Sequence, residues 1–477
     1  MTARVYLSAA HKSSGKTTVA IGLTRALTRL GHRVAPFKKG PDYIDPLWLT
    51  AASGHACHNL DYHTMSAAEI SALYERAGAG ADVRVIEGNK GLFDGVALDG
   101  SNSNAALARA LATPVVLVID CRGMSRGVAP LVIGYRHFDP SLEIAGVILN
   151  RVGGARHEAK LRAVLQEYTD VPVLGAVQES ADLAITERHL GLVPSGEWDG
   201  AEALIARLGE AVLAQVDVAA IARLGEDGKA PGLKSCGGAG HADVRIGIIR
   251  DRAFSFYYPG DLEALKAQGA ELVFIDALRD QALPDIDGLF LGGGFPETEA
   301  RALSANGALR AAIRTAIEQG LPAYAECGGL MYLTRRLTYQ GETHPMVGVI
   351  AADTVMGRKP AGHGYAGLKP TAAHPWAQGH LDRGIVPAHE FHYSHLTDIA
   401  KDTVYAYEVT RGTGITGHHD GIVYKNLLAG YAHLRDVAAC PWTAAFVGFV
   451  RAHRLRHAAP ACGRYPRPGE VRRVQGL

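Results

Sequence analysis

Two stretches of the sequence bring together residue types that can do chemistry. The first, Ala10-His-Lys-Ser-Ser-Gly15-Lys16-Thr17-Thr18, follows a short apolar strand and runs straight into a helical pattern. It meets the phosphate-binding pattern G-x-x-x-x-G-K-[ST] except that Ala10 stands at the first glycine. Such a loop offers backbone N–H groups and a helix N-terminus to phosphates. Ser13, Ser14, Gly15, Lys16, Thr17 and Thr18 are therefore the expected ATP contacts, with Lys16 reaching the β- and γ-phosphates and Thr17 ligating Mg²⁺. The second stretch, Leu321-Pro-Ala-Tyr-Ala-Glu326-Cys327-Gly328-Gly329, reads as a strand, a cysteine at a sharp glycine-flanked turn and a helix start. Amides at a helix start lower a thiol's pKa and stabilise an oxyanion, so Cys327 is placed to attack a carboxamide and form a thioester. Gly328, with Gly293 and Gly294 of the upstream run Leu291–Glu297, supplies the expected oxyanion donors, and His433, after an apolar strand, the expected base. An inert buried thiol is the commoner fate of a lone cysteine, and the Gly-Gly turn argues against it here.

A phosphate loop also needs acids. Gly40-Pro-Asp42-Tyr-Ile-Asp45-Pro and Val85-Ile-Glu87-Gly-Asn-Lys-Gly-Leu-Phe-Asp94-Gly lie where strands end, which is where ligands collect in open parallel sheets. Glu87 closes an apolar strand before a glycine and can take the Mg²⁺ role. A loop-capping carboxylate is the plain alternative for Asp45 and Asp94.

The elements that must position these residues follow from the alternation of strand-like and helical patterns. Strands are expected at Arg4–Ser8, Arg33–Phe37, Val83–Glu87, Val115–Asp120, Ile144–Asn150 and Val171–Val177, with helices at Thr17–Leu30 and Glu158–Tyr168, which together read as a parallel α/β sheet. Gly225–Asp243 has no periodicity and reads as a linker, so residues 1–224 form the expected first domain. A second α/β domain is expected over 244–450, with strands at Val244–Ile249, Glu271–Ile275, Gly288–Leu291 and Pro322–Glu326 and helices at Asp261–Gln268 and Leu309–Glu318. A basic tail, 451–477, carries seven arginines and one acid.

Composition narrows the class. The chain has 477 residues and a formal charge of +1, which does not point to nucleic acid. Its apolar runs are strand-sized, too short for a membrane span, and the start lacks a signal-peptide pattern, so a cytoplasmic location is expected. The six cysteines show no C-x-x-C pair, so neither a zinc site nor a disulfide framework is signalled.

With these residues in view, Lys39–Pro46, Asn59-Leu-Asp61, Glu87–Gly95 and Glu187–Leu192 resemble the cobyrinic acid a,c-diamide synthase family, and the resemblance runs to about Phe449. It departs at Ala10 and at Tyr62-His63, where related enzymes often carry a tryptophan-containing continuation. It implies an N-terminal P-loop domain similar to dethiobiotin synthetase and a C-terminal class I glutamine amidotransferase-like domain. In the first, it implies Mg²⁺ held by Thr17, Asp42 and Glu87, and Asp45 and Asp94 acting in carboxylate activation. In the second, the usual triad acid lies two residues after the histidine; Arg435 occupies that position, so a Cys327–His433 dyad is implied. The segment His389-Glu-Phe-His392-Tyr-Ser394 is implied to be a signature near the glutaminase site. A metal shared by His389 and His392 is awkward, because residues three apart in a strand face opposite sides.

The two half-sites together imply an ATP- and glutamine-dependent ligase amidating the a and c acetate carboxylates of a corrin-type tetrapyrrole, through an acyl phosphate and ammonia taken from glutamine. The partners are small molecules (tetrapyrrole carboxylate, glutamine and ATP), and a homodimer is compatible with this. Alternatives are the same amidation on a sirohaem- or sirohydrochlorin-type tetrapyrrole, a P-loop switch ATPase with a degenerate tetrapyrrole-binding module, and a stand-alone carboxylating enzyme that would leave the second half unemployed.

Overall fold

The computed structural model describes residues 2–185, 187–188, 191–225, 242–376, 381 and 384–458. Seven strands, β1 (Ala3–Ala9), β2 (Val34–Lys39), β3 (His58–Leu60), β4 (Val83–Glu87), β5 (Val115–Asp120), β6 (Ile144–Val152) and β7 (Val173–Gln178), form a sheet in the order β3-β2-β4-β1-β5-β6-β7. Every pairing in it is parallel. The apolar runs explain this: β1 and β5 are buried along their whole length, as strands covered by helices on both faces must be. Because the strands run the same way, the ends of β1, β2 and β4 emerge at one edge. The register then sets Glu87 of β4 opposite both Leu7 of β1 and Lys38 of β2.

At that edge the chain turns from β1 into α1 (Lys16–Arg29) through Gly15, whose φ is +78°. A Cβ there would come within 2.2 Å of Asn150 Nδ2, so only glycine fits. The expected strands and α1 are found within a few residues. Two elements absent from the reading, the short β3 and helix α2 (Ile44–Ser53), carry site residues.

A two-stranded ribbon, β8 (Glu187–Arg188) and β9 (Gly191–Leu192), precedes the second sheet. That sheet opens with the expected strands β10 (Val244–Ile249), β11 (Ala270–Ile275), β12 (Gly288–Leu291) and β13 (Ala323–Glu326). A small four-stranded sheet is built from β14 (Arg336–Tyr339), β15 (Glu342–Pro345), β16 (Asp353–Met356) and, later in the chain, β19 (Ser394–Thr397). The second sheet is completed by β17 (Gly362–Pro370), β18 (Val386–His392), β20 (Val404–Arg411), β21 (His419–Tyr424) and β22 (Leu427–Gly430), in the order β11-β10-β12-β13-β22-β21-β20-β17-β18. It is parallel from β11 to β22 and antiparallel from β22 to β18. The antiparallel half was not legible as an α/β alternation, because its strands follow one another with no helix between them.

The last helix, Trp442–Ala458, continues past residue 450, where the basic tail was expected to begin. Arg451 pairs with Asp243, and Arg454 with Asp287 at 3.1 Å. Residues 459–477 and 226–241, the rest of that tail and nearly all of the expected linker, lie outside the described residues. Among the described residues no helix is long and apolar enough to cross a membrane. Trp442 is fully buried against Phe290 and Tyr324 and donates its Nε1–H to Asp261 Oδ2 at 3.1 Å. Trp442→Ala is expected to cost about 3–5 kcal/mol, read as a lower urea midpoint with an unchanged m-value.

Candidate active site

The phosphate loop is held from outside as well as by its own turn. Asn150 Nδ2, at the end of β6, donates to Ser14 O at 2.9 Å, and Arg151 Nη1 donates to Ser13 O at 2.7 Å. Ser14 Oγ donates to His11 O at 2.8 Å, and Ser13 takes a φ of +65°. Lys16 and Thr17 open α1, with Thr18 next to them, and both turn toward β4: Thr17 Oγ1 donates to Glu87 Oε1 at 2.6 Å, and Lys16 Nζ lies 3.7 Å from the same oxygen.

Beside them is Lys38, which sequence reasoning passed over. Its Nζ is buried between Asp45 Oδ2, with which it pairs closely, and Glu87 Oε1 at 3.1 Å. Burial works against the Lys38 charge, but Asp45 and Glu87 outweigh it and hold the ammonium protonated. Burial likewise opposes ionisation of Asp45, and Lys38 reverses that, keeping the carboxyl below its ordinary range. Asp42 is different. Its Oδ1 accepts from the N–H groups of Ile44 (2.8 Å) and Asp45 (3.0 Å), capping the start of α2, and burial with repulsion from Asp45 pushes its pKa up to about 7. Asp94 is tied to its own loop by Gly91 N–H at 3.0 Å.

Whether a hard cation fits can be judged from the oxygens present. Among the described residues no three His, Cys, Asp or Glu side chains converge as a metal cage. Glu87 Oε2, however, is buried without a hydrogen-bond partner, and Thr17 Oγ1 lies beside Glu87 and 3.4 Å from Asp45 Oδ2. Mg²⁺ is usually bound by one or two protein oxygens plus phosphates, and this set fits that pattern. Thr17 and Glu87 meet as expected; Asp45, rather than Asp42, is the third oxygen beside them.

In the second sheet β13 ends at Glu326, and Cys327 follows at φ 47°, ψ −100°, a strained elbow immediately before a short helix, Gly328–Leu333. The glycines expected as oxyanion donors surround it. A Cβ on Gly328 would lie 3.0 Å from Gly294 N, and one on Gly293 would lie 2.5 Å from His433 Cε1, so both glycines allow the close approach of elbow, strand end and imidazole. His433 contacts Cys327 on one side, while its Nδ1 lies 3.2 Å from Glu326 Oε2. Glu326 is itself fixed by Tyr324 O–H at 2.5 Å and Leu434 N–H at 2.9 Å. Burial disfavours a charged His433, but its hydrogen bonds to Cys327 and Glu326 prevail and push the pKa up to about 10. Beside the expected pair, Cys327 and His433, the structure thus places a third group that sequence reasoning did not name, the Glu326 carboxylate of the residue immediately before Cys327.

The two sites face each other. Tyr365 O–H donates to Asp61 Oδ1 at 2.8 Å, His63 stacks on Tyr365 at 4.1 Å, and Arg435 Nη2 donates to Asn59 O across the seam. Between them lies a cavity of about 210 Å³ lined by Asp42, Tyr43, Ile44, Phe256, His389 and His433, among others. His389 and His392 do point apart: His389 borders this cavity, whereas His392 stacks on Tyr431 at 3.8 Å.

Residues 9–193 match the CobQ/CobB/MinD/ParA nucleotide binding domain, and residues 245–436 match the CobB/CobQ-like glutamine amidotransferase domain. A cobyrinate a,c-diamide synthase of Magnetococcus marinus is 44% identical, over 94% of this chain and 97% of its own. Those of Methanosarcina acetivorans and Archaeoglobus fulgidus are each 40% identical, over 91% and 90% of this chain and 93% and 94% of theirs. The chain belongs to the cobyrinate a,c-diamide synthase family.

In this member of the family, Glu326 and Lys38 escaped the sequence reading for the same reason: each is an ordinary strand-end residue until its neighbours in space are known. A period-2 count along β2 would have put Lys38 and Lys39 on opposite faces, but not which of them meets the acids. The pKa of His433 predicts a pH dependence. Since its folded value is raised from 6.5 to about 10, the imidazolium and the stability it contributes are fully present below pH 6.5 and are lost as pH rises through 10. Glu326→Gln should bring the alkaline limb of glutamine hydrolysis down by about one pH unit or more, measured as glutamate release from pH 6 to 10.5.

Proposed function

We propose that the protein is an ATP- and glutamine-dependent ligase that amidates the a and c acetate carboxylates of cobyrinic or hydrogenobyrinic acid. The observation that carries this is a cavity bordered on one side by His433, the imidazole beside Cys327, and on the other by Asp42, which caps the helix carrying Asp45. Residues 1–224 are the proposed synthetase domain and 244–450 the proposed amidotransferase domain; the two family matches, each falling within one of them, support the division.

The mechanism starts at the thiol. Cys327 sulfur attacks the glutamine side-chain carbonyl carbon, the oxyanion is received by amides of Gly328 and of the Gly293–Gly294 turn, and His433 gives a proton to the departing nitrogen. The C–N bond breaks, ammonia leaves, and water later releases glutamate from the thioester. At the other end the acceptor carboxylate resists ammonia because its charge repels nucleophiles and oxide leaves poorly. Transfer of the γ-phosphoryl group of ATP to it gives an acyl phosphate, and ammonia displaces inorganic phosphate from the carbonyl carbon. Ser13, Ser14, Gly15, Lys16 and Thr18 hold the phosphates. Mg²⁺, held by Thr17 and Glu87, would neutralise charge on the transferred group. Asp45, kept ionised by Lys38, and Asp94 order the acceptor side.

Lys16→Ala is expected to lower ATP-dependent amidation by roughly 100-fold or more while glutamine hydrolysis persists; undiminished amide formation counts against the phosphate role. Glu87→Gln should reduce turnover more than melting temperature, and the reverse pattern would make Glu87 structural. Cys327→Ser should lose glutamine-dependent activity by orders of magnitude yet amidate when high ammonium is supplied at alkaline pH, and the same bypass should rescue His433→Ala. Mass spectrometry of the tetrapyrrole counts the amides, and glutamine use retained by Cys327→Ser removes the thiol from the mechanism.

A further inference from the structure

His389 stands where two cavities adjoin. The first, described above, runs from His433 to Asp42; the second, of about 330 Å³, is bordered by Asp61, Lys90 and Asp94 on one side of the seam and by Tyr365 and Arg411 on the other. Of the residues lining them from the amidotransferase side, His389 alone borders both. It lies on β18, the edge strand of the second sheet, and exchanges two backbone hydrogen bonds with His433, at 3.2 and 2.7 Å, which fix its position relative to the base that releases ammonia.

Its Nδ1 is buried and has no hydrogen-bond partner among the described residues. A polar nitrogen in that state is costly unless something arrives to satisfy it. Burial, and next the charge on His433, hold the ring's pKa down at about 3, so the imidazole is neutral at any working pH. Around it Tyr43, Ile44, Phe256 and Phe391 give the first cavity mostly apolar walls, with few acceptors to compete for a small polar guest.

We propose that His389 hands ammonia from the thiol site to the acceptor site, its Nδ1 lone pair accepting one N–H of the ammonia molecule that leaves glutamine. The proposal rests on the ligase reading given above. Ammonia has three N–H bonds and one lone pair; an acceptor that engages an N–H leaves the lone pair free for the acyl carbon. The step then balances without any change at His389: the N–C bond forms, the C–O bond to phosphate breaks, phosphate leaves with that electron pair, and the surplus proton on nitrogen goes to it. A protonated ring would instead donate to the lone pair and block it, which is why a neutral ring suits this position.

The test uses the full-length protein with ATP, glutamine and tetrapyrrole, measuring glutamate released and amide formed in the same samples. His389→Phe keeps an aromatic ring but removes the acceptor, so amide formed per glutamate released should fall at least several-fold, and saturating external ammonium should bring amide formation back. His389→Gln, which keeps an acceptor oxygen, should recover part of the ratio. An unchanged ratio in His389→Phe overturns the proposal. So does loss of glutamate release in both variants while ammonium is used normally, which assigns His389 to glutamine hydrolysis, and so does loss of amidation from both nitrogen sources, which makes it structural. The ligase reading fails separately, through a wild-type protein that forms amide from neither nitrogen source.

Discussion

An ammonium group enclosed in protein is the constraint on which the edge of the first sheet depends. Lys38 has only 3% of its side chain exposed, and taking its charge out of water costs several kcal/mol unless anionic partners are already in place. Parallel register supplies one of them, setting Glu87 directly across from Lys38, and α2 supplies the other at Asp45. The start of α2 is in turn capped by Asp42. Thr17 then binds Glu87, so the phosphate loop inherits its orientation from the pairing of two strands. The loop, the acids and the helix start are one object, organised around a charge that none of them can leave unpaired.

The thiol site obeys a similar logic with the sign reversed. Glu326 is a buried carboxylate satisfied by Tyr324, Leu434 and His433, and His433 is in turn held between it and Cys327. Both sites lie at strand ends, and the seam turns those ends toward each other through Asp61–Tyr365, Asn59–Arg435 and the stacking of Tyr43 on Phe256 at 5.2 Å. A cavity of about 210 Å³ bordered by both His433 and Asp42 lies between those ends.

What the sequence revealed tracks how local each signal is. The phosphate loop, the cysteine elbow, the longer strands of the first sheet and the parallel strands that open the second could be read because each is written in a dozen consecutive residues: an apolar run, a glycine turn, a helix start. Glu326, Lys38 and the seam could not, because their meaning comes from residues about 50 to 375 positions away, as with Lys38 and Glu87 or Arg435 and Asn59. Asp42 shows a third case. Its type and place suited a cation ligand, yet the first two residues of α2 needed an acceptor for their N–H groups, and that local demand claimed one of its oxygens.

Glu326 meets His433 Nδ1 from the residue before the cysteine, while the position two residues after the histidine holds Arg435. Arg435 reaches Asn59 O across the seam while lying over the Tyr258 ring at 5.0 Å. An acid at 435 would give up both of these contacts, and removing Glu326 would leave His433 Nδ1 without its carboxylate. Neither single step is neutral. The two positions thus serve different parts of the molecule: residue 326 holds the imidazole, and residue 435 holds one half of the chain against the other.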